Sequence, residues 1–89
     1  MLENILDKYY AKKIENNLRN ALKVFWIDKK FTYTKHLLEL YVKPKKWKDE
    51  QYILIMAIPY TECFDILVNR YTQLETDIVK FVKERVKEN

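Results

Sequence analysis

The sequence predicts an α+β domain: an N-terminal helix, a three- or four-stranded mainly antiparallel sheet, and a long C-terminal helix packed on one face. Three observations carry this expectation. Apolar residues recur every three or four positions over 2–22 and again over 60–87. The stretch 23–58 is rich in β-branched and aromatic residues instead, with prolines where its apolar runs stop. The chain has 89 residues, 48% hydrophobic and 34% charged, which suits one globular domain over 1–89.

In the first element, Leu2, Ile5, Leu6, Tyr9, Tyr10, Ile14, Leu18, Ala21 and Leu22 describe one helix face. Lys8, Lys12, Glu15 and Arg19 fall mostly on the other side. Glu15 and Arg19 stand one turn apart in the favourable order. Asn16, Asn17 and Asn20 are indifferent helix formers and weaken the far end.

Strands are expected next. Val24-Phe25-Trp26-Ile27 and Phe31-Thr32-Tyr33-Thr34 have strand composition, and Asp28-Lys29-Lys30 between them reads as a tight turn. Leu38, Leu40 and Val42 alternate with Glu39, Tyr41 and Lys43, as in a strand buried on one face. Pro44 ends that run. Lys35 to Val42 also has a helical reading, with Leu37, Leu38, Leu40 and Tyr41 as the apolar face. Residues 52–58 are apolar throughout, as a covered strand would be, and Pro59 stops the ladder.

The last element is the long helix. Thr61 is its expected N-cap, with Glu62 and Asp65 in the first turn and Lys80, Lys83, Arg85 and Lys87 at the far end. Tyr60, Phe64, Leu67, Tyr71, Leu74, Ile78 and Phe81 follow in alternating steps of four and three. Ile66, Val68, Val79 and Val82 widen this stripe. Such a helix is about 40 Å long, against a radius of gyration of ~12 Å for a domain of this size. Part of it is therefore expected to project or to meet another chain. Tyr71, Leu74, Ile78 and Phe81 are the candidate partner-binding residues, and a homodimer through this helix is one version of that contact.

The aromatic content points the same way. There are 7 Tyr, 4 Phe and 2 Trp. Tyr9, Tyr10, Phe25, Trp26, Tyr52 and Phe64 are expected to fill the core, and the surplus to face a partner.

The net charge of +4 is uneven: +1 over residues 1–22, +4 over 23–50 and −1 over 51–89. Its densest point is Lys43-Pro44-Lys45-Lys46-Trp47-Lys48. Lys43, Lys45, Lys46 and Lys48 suit phosphate contacts, and the Trp47 indole suits stacking on a base. That contact would be largely blind to sequence, because no arginine is present there to read base edges. The competing reading is a solvated hairpin loop whose lysines protect a sheet edge.

The composition also excludes chemistry. With no Gly there is no phosphate-cradling loop and no dinucleotide fingerprint. With no Ser there is no serine nucleophile. One Cys and one His make neither a disulfide framework nor a standard zinc site. Cys63 near a helix start could have a lowered pKa, with His36 as the sole imidazole, but a small core thiol and a surface histidine explain both residues better. No carboxylates cluster as two-metal chemistry requires. No catalytic residues, metal or cofactor are expected.

The first residues lack a signal-peptide core, and no apolar run is long enough to span a membrane. A soluble, cytoplasmic protein without a membrane partner is expected. The usage of Lys, Ile, Asn and Tyr is that of AT-rich genomes and fits a small viral or mobile-element accessory protein. Two functions follow: a non-catalytic protein-binding module (inhibitor, adaptor or assembly factor), or a small basic nucleic-acid-binding regulator.

Overall fold

The computed structural model describes residues 5–45 and 51–87. Helix α1 (Ile5–Ala21) leads into β1 (Ile27–Tyr33), β2 (Leu37–Pro44) and β3 (Ile53–Pro59). A C-terminal helix follows directly. It winds as a 3-10 turn (Tyr60–Glu62), an α turn (Cys63–Asp65), a π turn (Ile66–Arg70) and a regular α-helix (Tyr71–Lys87). The sheet is an antiparallel meander in the order β1-β2-β3, so the expected α+β arrangement is the observed one, with three strands.

The strand 27–33 runs straight through Asp28-Lys29-Lys30, where a turn was expected. Cross-strand partners override the local turn preference. Asp28 lies opposite Lys43 and pairs with it at 3.2 Å, and Lys30 lies opposite Tyr41 with its ammonium over that ring. Residues 22–26 form the turn instead, held by the Phe25 N–H donating to the Leu22 carbonyl. The β1–β2 connection is tight although no described residue has a positive φ. Thr34 substitutes for glycine there: its hydroxyl accepts from the Leu37 N–H at 2.9 Å, and its own N–H donates to the Leu37 carbonyl at 2.9 Å. β2 adopts the strand reading, which excludes the helical one for Leu37 to Val42.

Strand alternation gives the sheet two unlike faces. Ile27, Leu38, Leu40, Val42, Met56 and Ile58 point inward and are buried. A bulge shifts the β2–β3 register, so that Leu40 faces Met56 while Tyr41 faces Leu54. The inner face is covered by Ala11, Ile14 and Leu18 of α1, by Leu22 in the turn that follows, and by Tyr60, Cys63, Ile66, Ile78 and Val82 of the C-terminal helix. Each buried Leu or Ile contributes about 1.5–3 kcal/mol by leaving water.

Two expectations about the helices change. Ile5, Leu6 and Tyr9 are exposed, and Glu15 joins the buried face of α1. In the C-terminal helix the buried line is Cys63, Ile66, Ile78 and Val82, with Tyr71 half-buried, so Phe64 and Phe81 fall outside it. Ile66 and Tyr71 are five apart, the spacing that a π turn returns to one side. Pro59, not Thr61, is the N-cap, and no side chain caps the helix. The far end does not project bare, since Val82 is fully buried, and the body itself extends to 42 Å along its longest axis.

The core aromatics also differ. Among the described aromatic residues only Tyr60 is fully buried, while Tyr9, Trp26, Tyr52 and Phe64 are exposed and Tyr10 and Phe25 half-buried. A phenol needs a hydrogen-bond acceptor when buried. Tyr60 has one, the Thr34 carbonyl.

The helix layer is tied to the sheet by the buried Glu15. Its carboxylate accepts from the Tyr33 hydroxyl at 2.5 Å, from Arg19 Nε at 2.7 Å and from Lys12 Nζ at 3.3 Å. Burial alone would raise its pKa, but the hydrogen bonds from Tyr33, Arg19 and Lys12 outweigh burial and lower it. A carboxyl of depressed folded pKa stabilises the fold above its ordinary value of 4.5, and that stability is lost as pH falls through the folded value. Tyr33→Phe should therefore lower stability by about 1.5–3 kcal/mol at pH 7, with the difference shrinking as the pH falls below the ordinary carboxyl value of 4.5. Urea denaturation of both proteins across that pH range checks this, and equal midpoints at pH 7 would refute it.

Candidate functional site

Two surfaces carry the unused chemistry. The first is the outer face of the sheet. Asp28, Lys30 and Thr32 of β1 lie opposite Lys43, Tyr41 and Glu39 of β2, and Leu54 extends the row on β3. Trp26 continues the β1 alignment, since its carbonyl accepts from the Lys45 N–H at 3.2 Å. Lysines lie over the rings here: Lys45 is 4.9 Å from the Trp26 centroid, and Lys30 is 4.8 Å from Tyr52 and 5.5 Å from Tyr41. Lys43 is 5.8 Å from Tyr52 and also pairs with Asp28. Glu39 accepts from the Thr32 and Tyr41 hydroxyls, both at 3.0 Å. The bond to Glu39 raises the Tyr41 pKa, so the phenol keeps its proton.

Of the lysines expected to contact nucleic acid, Lys43 and Lys45 thus stand on this face. Lys46, Trp47 and Lys48 lie outside the described residues. Trp26, Lys30, Tyr41 and Tyr52 were not anticipated at the site. Period-two alternation counted from Ile27 would have placed Trp26, Asp28, Lys30 and Thr32 on one side, but the expected turn at Asp28 concealed it.

The second surface lies in the helix layer. Leu6 (56% exposed), Tyr9 (51%), Phe64 (50%) and Val68 (60%) are large apolar groups in water. Ring contacts knit this patch together, with Tyr9 edge-on to Tyr10 at 5.4 Å and Tyr10 against Phe64 at 4.9 Å. Val68 also borders a shallow groove of about 580 Å³ at the π turn, lined further by Leu67, Tyr71 and Leu74. Two polar bonds brace the π turn beside it. Asn69 donates to Asp65 at 2.8 Å, and Arg70 Nε, five residues on, donates to the same carboxylate at 3.1 Å. The Asn69 bond, aided by Arg70, lowers the Asp65 pKa.

The four expected partner-binding residues separate. Tyr71 and Leu74 are half-buried and line the groove. Phe81 is exposed with the Arg85 guanidinium over its ring at 5.6 Å. Ile78 is 5% exposed and belongs to the core, so its side chain holds the helix down and offers no surface. Burial, followed by the Glu75 carboxylate a turn along, raises the Tyr71 pKa.

Cys63 is buried, and its thiol donates to the Pro59 carbonyl at 3.6 Å. Burial first, then the Asp7 and Glu62 carboxylates, push the thiol up to about 11. The lowered pKa considered for a thiol near a helix start is therefore reversed. Among the described residues no group of three His, Cys, Asp or Glu could hold a metal ion, and no helix is long and apolar enough to cross a membrane.

The fold and these surfaces define a helix-covered three-stranded α+β domain with one open sheet face. Comparison with protein families, curated proteins and solved structures finds no match.

Alkylation tests the thiol assignment. At pH 8 the raised pKa leaves about a hundredfold less thiolate than the ordinary thiol has, so iodoacetamide should label the native protein at least that much more slowly than the urea-unfolded one. Comparable rates would overturn it.

Proposed function

We propose that this is a non-catalytic binding protein that acts by protein–protein contact, as an inhibitor, adaptor or assembly factor. The observation that supports the reading is the patch of Leu6, Tyr9, Phe64 and Val68 running into the groove beside Tyr71 and Leu74. Leaving such groups in water forgoes burial energy that a partner can recover. Aromatic residues around a groove are the usual anchors of protein interfaces. Phe64 is held against Tyr10, so little side-chain entropy remains to be lost on docking.

Nuclease-treated pull-down from the native host, with wild type and a Leu6→Lys/Val68→Lys double variant, tests this proposal. Both side chains are more than half exposed, so stability should change by no more than about 0.5 kcal/mol per site. A protein partner retained after nuclease and lost in the variant is the expected result. Retention by the variant, or loss of every partner on nuclease treatment, would refute the reading. Light scattering on the purified chain separates a second copy from a foreign protein as the occupant.

A further inference from the structure

We propose that the outer face of the sheet is a binding site for single-stranded nucleic acid, with Trp26 and Tyr52 stacking on bases and Lys30 and Lys45 meeting the phosphates. The site is distinct from the docking patch, which lies in the helix layer behind the sheet. The burial pattern leaves this face open: along β2 the inward residues Leu38, Leu40 and Val42 are buried, whereas Glu39, Tyr41 and Lys43 between them are only half-buried. Trp26 is 67% exposed although large and apolar. Folding alone gives no reason to keep an indole in water, whereas a base stacked on it gives one.

Rings and ammoniums alternate across the face. Lys45 lies over Trp26 at 4.9 Å, Lys43 over Tyr52 at 5.8 Å, and Lys30 over Tyr52 at 4.8 Å. At Trp26 a single ammonium lies over the ring of a largely exposed indole, which leaves ring surface for a base close to a cation that can meet its phosphate. Asp28 is spent on Lys43, and Glu39 accepts two hydroxyl bonds, which leaves Lys30 and Lys45 as the cations of this face that a phosphate would meet. The segment 23–50 holds the whole surplus of charge, +4, while the rest of the chain sums to zero.

A single strand fits these groups better than a duplex does. Bases in a duplex are already stacked and cannot reach the rings, and reading the major groove favours arginine, of which this face has none. An acidic protein would satisfy the lysines but would leave Trp26 and Tyr52 unexplained.

Fluorescence titration tests the proposal. In the full chain carrying Trp47→Phe, Trp26 is the sole indole. Labelled oligothymidine and oligouridine of about 20 nucleotides should bind at about 50 mM salt with micromolar affinity. Trp26 emission should be quenched in parallel. Two phosphate contacts predict a slope of log affinity on log salt of about −1.4, and Lys30→Gln should reduce it by about 0.7. Trp26→Ala and Tyr52→Ala should each weaken binding about tenfold, with an unchanged circular dichroism spectrum. Lack of an anisotropy change at about 100 µM protein in low salt would overturn the proposal. So would binding without Trp26 quenching, or equal binding of duplex DNA or polyglutamate, since charge alone would then account for it.

Discussion

The Glu15 carboxylate is the constraint on which the rest of the molecule depends. A charged group in an aliphatic core is tolerated only when donors replace its water. Here the donors come from different parts of the chain: Lys12 and Arg19 from the same helix, and Tyr33 from the end of β1. The Tyr33 ring stacks on Tyr60 at 6.3 Å, and the Tyr60 hydroxyl bonds to Thr34. One polar chain thus links α1, the β1–β2 turn and the start of the C-terminal helix. Apolar packing alone would permit α1 to slide or rotate on the sheet. A buried charge that loses its partners does not, so this contact fixes which helix face meets the sheet.

That fixed orientation decides what is left for function. The inner sheet face is consumed by Ile14, Leu18, Ile78 and Val82, so binding chemistry can reside only on the outer sheet face and the outer helix surface. The division of aromatic residues follows. Aliphatic side chains fill a thin two-layer core without polar atoms to satisfy, whereas rings such as Tyr9 and Tyr52 stay exposed. The open sheet face and the patch at Phe64 therefore share one origin: a small core that cannot admit more rings.

Much of the fold was legible in the sequence because periodicity reports burial. The alternation Leu38, Leu40, Val42 located β2, the apolar run of 52–58 located β3 to within a residue, and both helices were found where three- and four-residue spacings recur. What failed was reasoning from neighbours alone. Asp28-Lys29-Lys30 has turn composition, but its partners Lys43 and Tyr41 lie far along the chain. Glu15 looked like a surface acid because its decisive donor, Tyr33, is 18 residues away. Large aromatic residues were assigned to the core by size, although size also makes them hard to enclose in so few residues. Of the candidate sites, Lys43 and Lys45 were legible as a basic cluster, but the rings beneath them depended on strand pairing.

The π turn at Ile66–Arg70 has a consequence for how the long helix can evolve. Each residue of an α-helix advances the side-chain direction by about 100°. One extra residue absorbed in the wide turn offsets everything downstream by that angle, which brings Ile78 and Val82 round to the hydrophobic interior already entered by Cys63 and Ile66. A chain without glycine or serine has few means of making the same adjustment by breaking the rod. Deleting any single residue of this turn would restore ideal winding and keep the two halves in phase, because the wide turn already absorbs that one residue. The helix can therefore lose one residue here, whereas gaining one would turn Ile78 and Val82 away from the interior by about 100°.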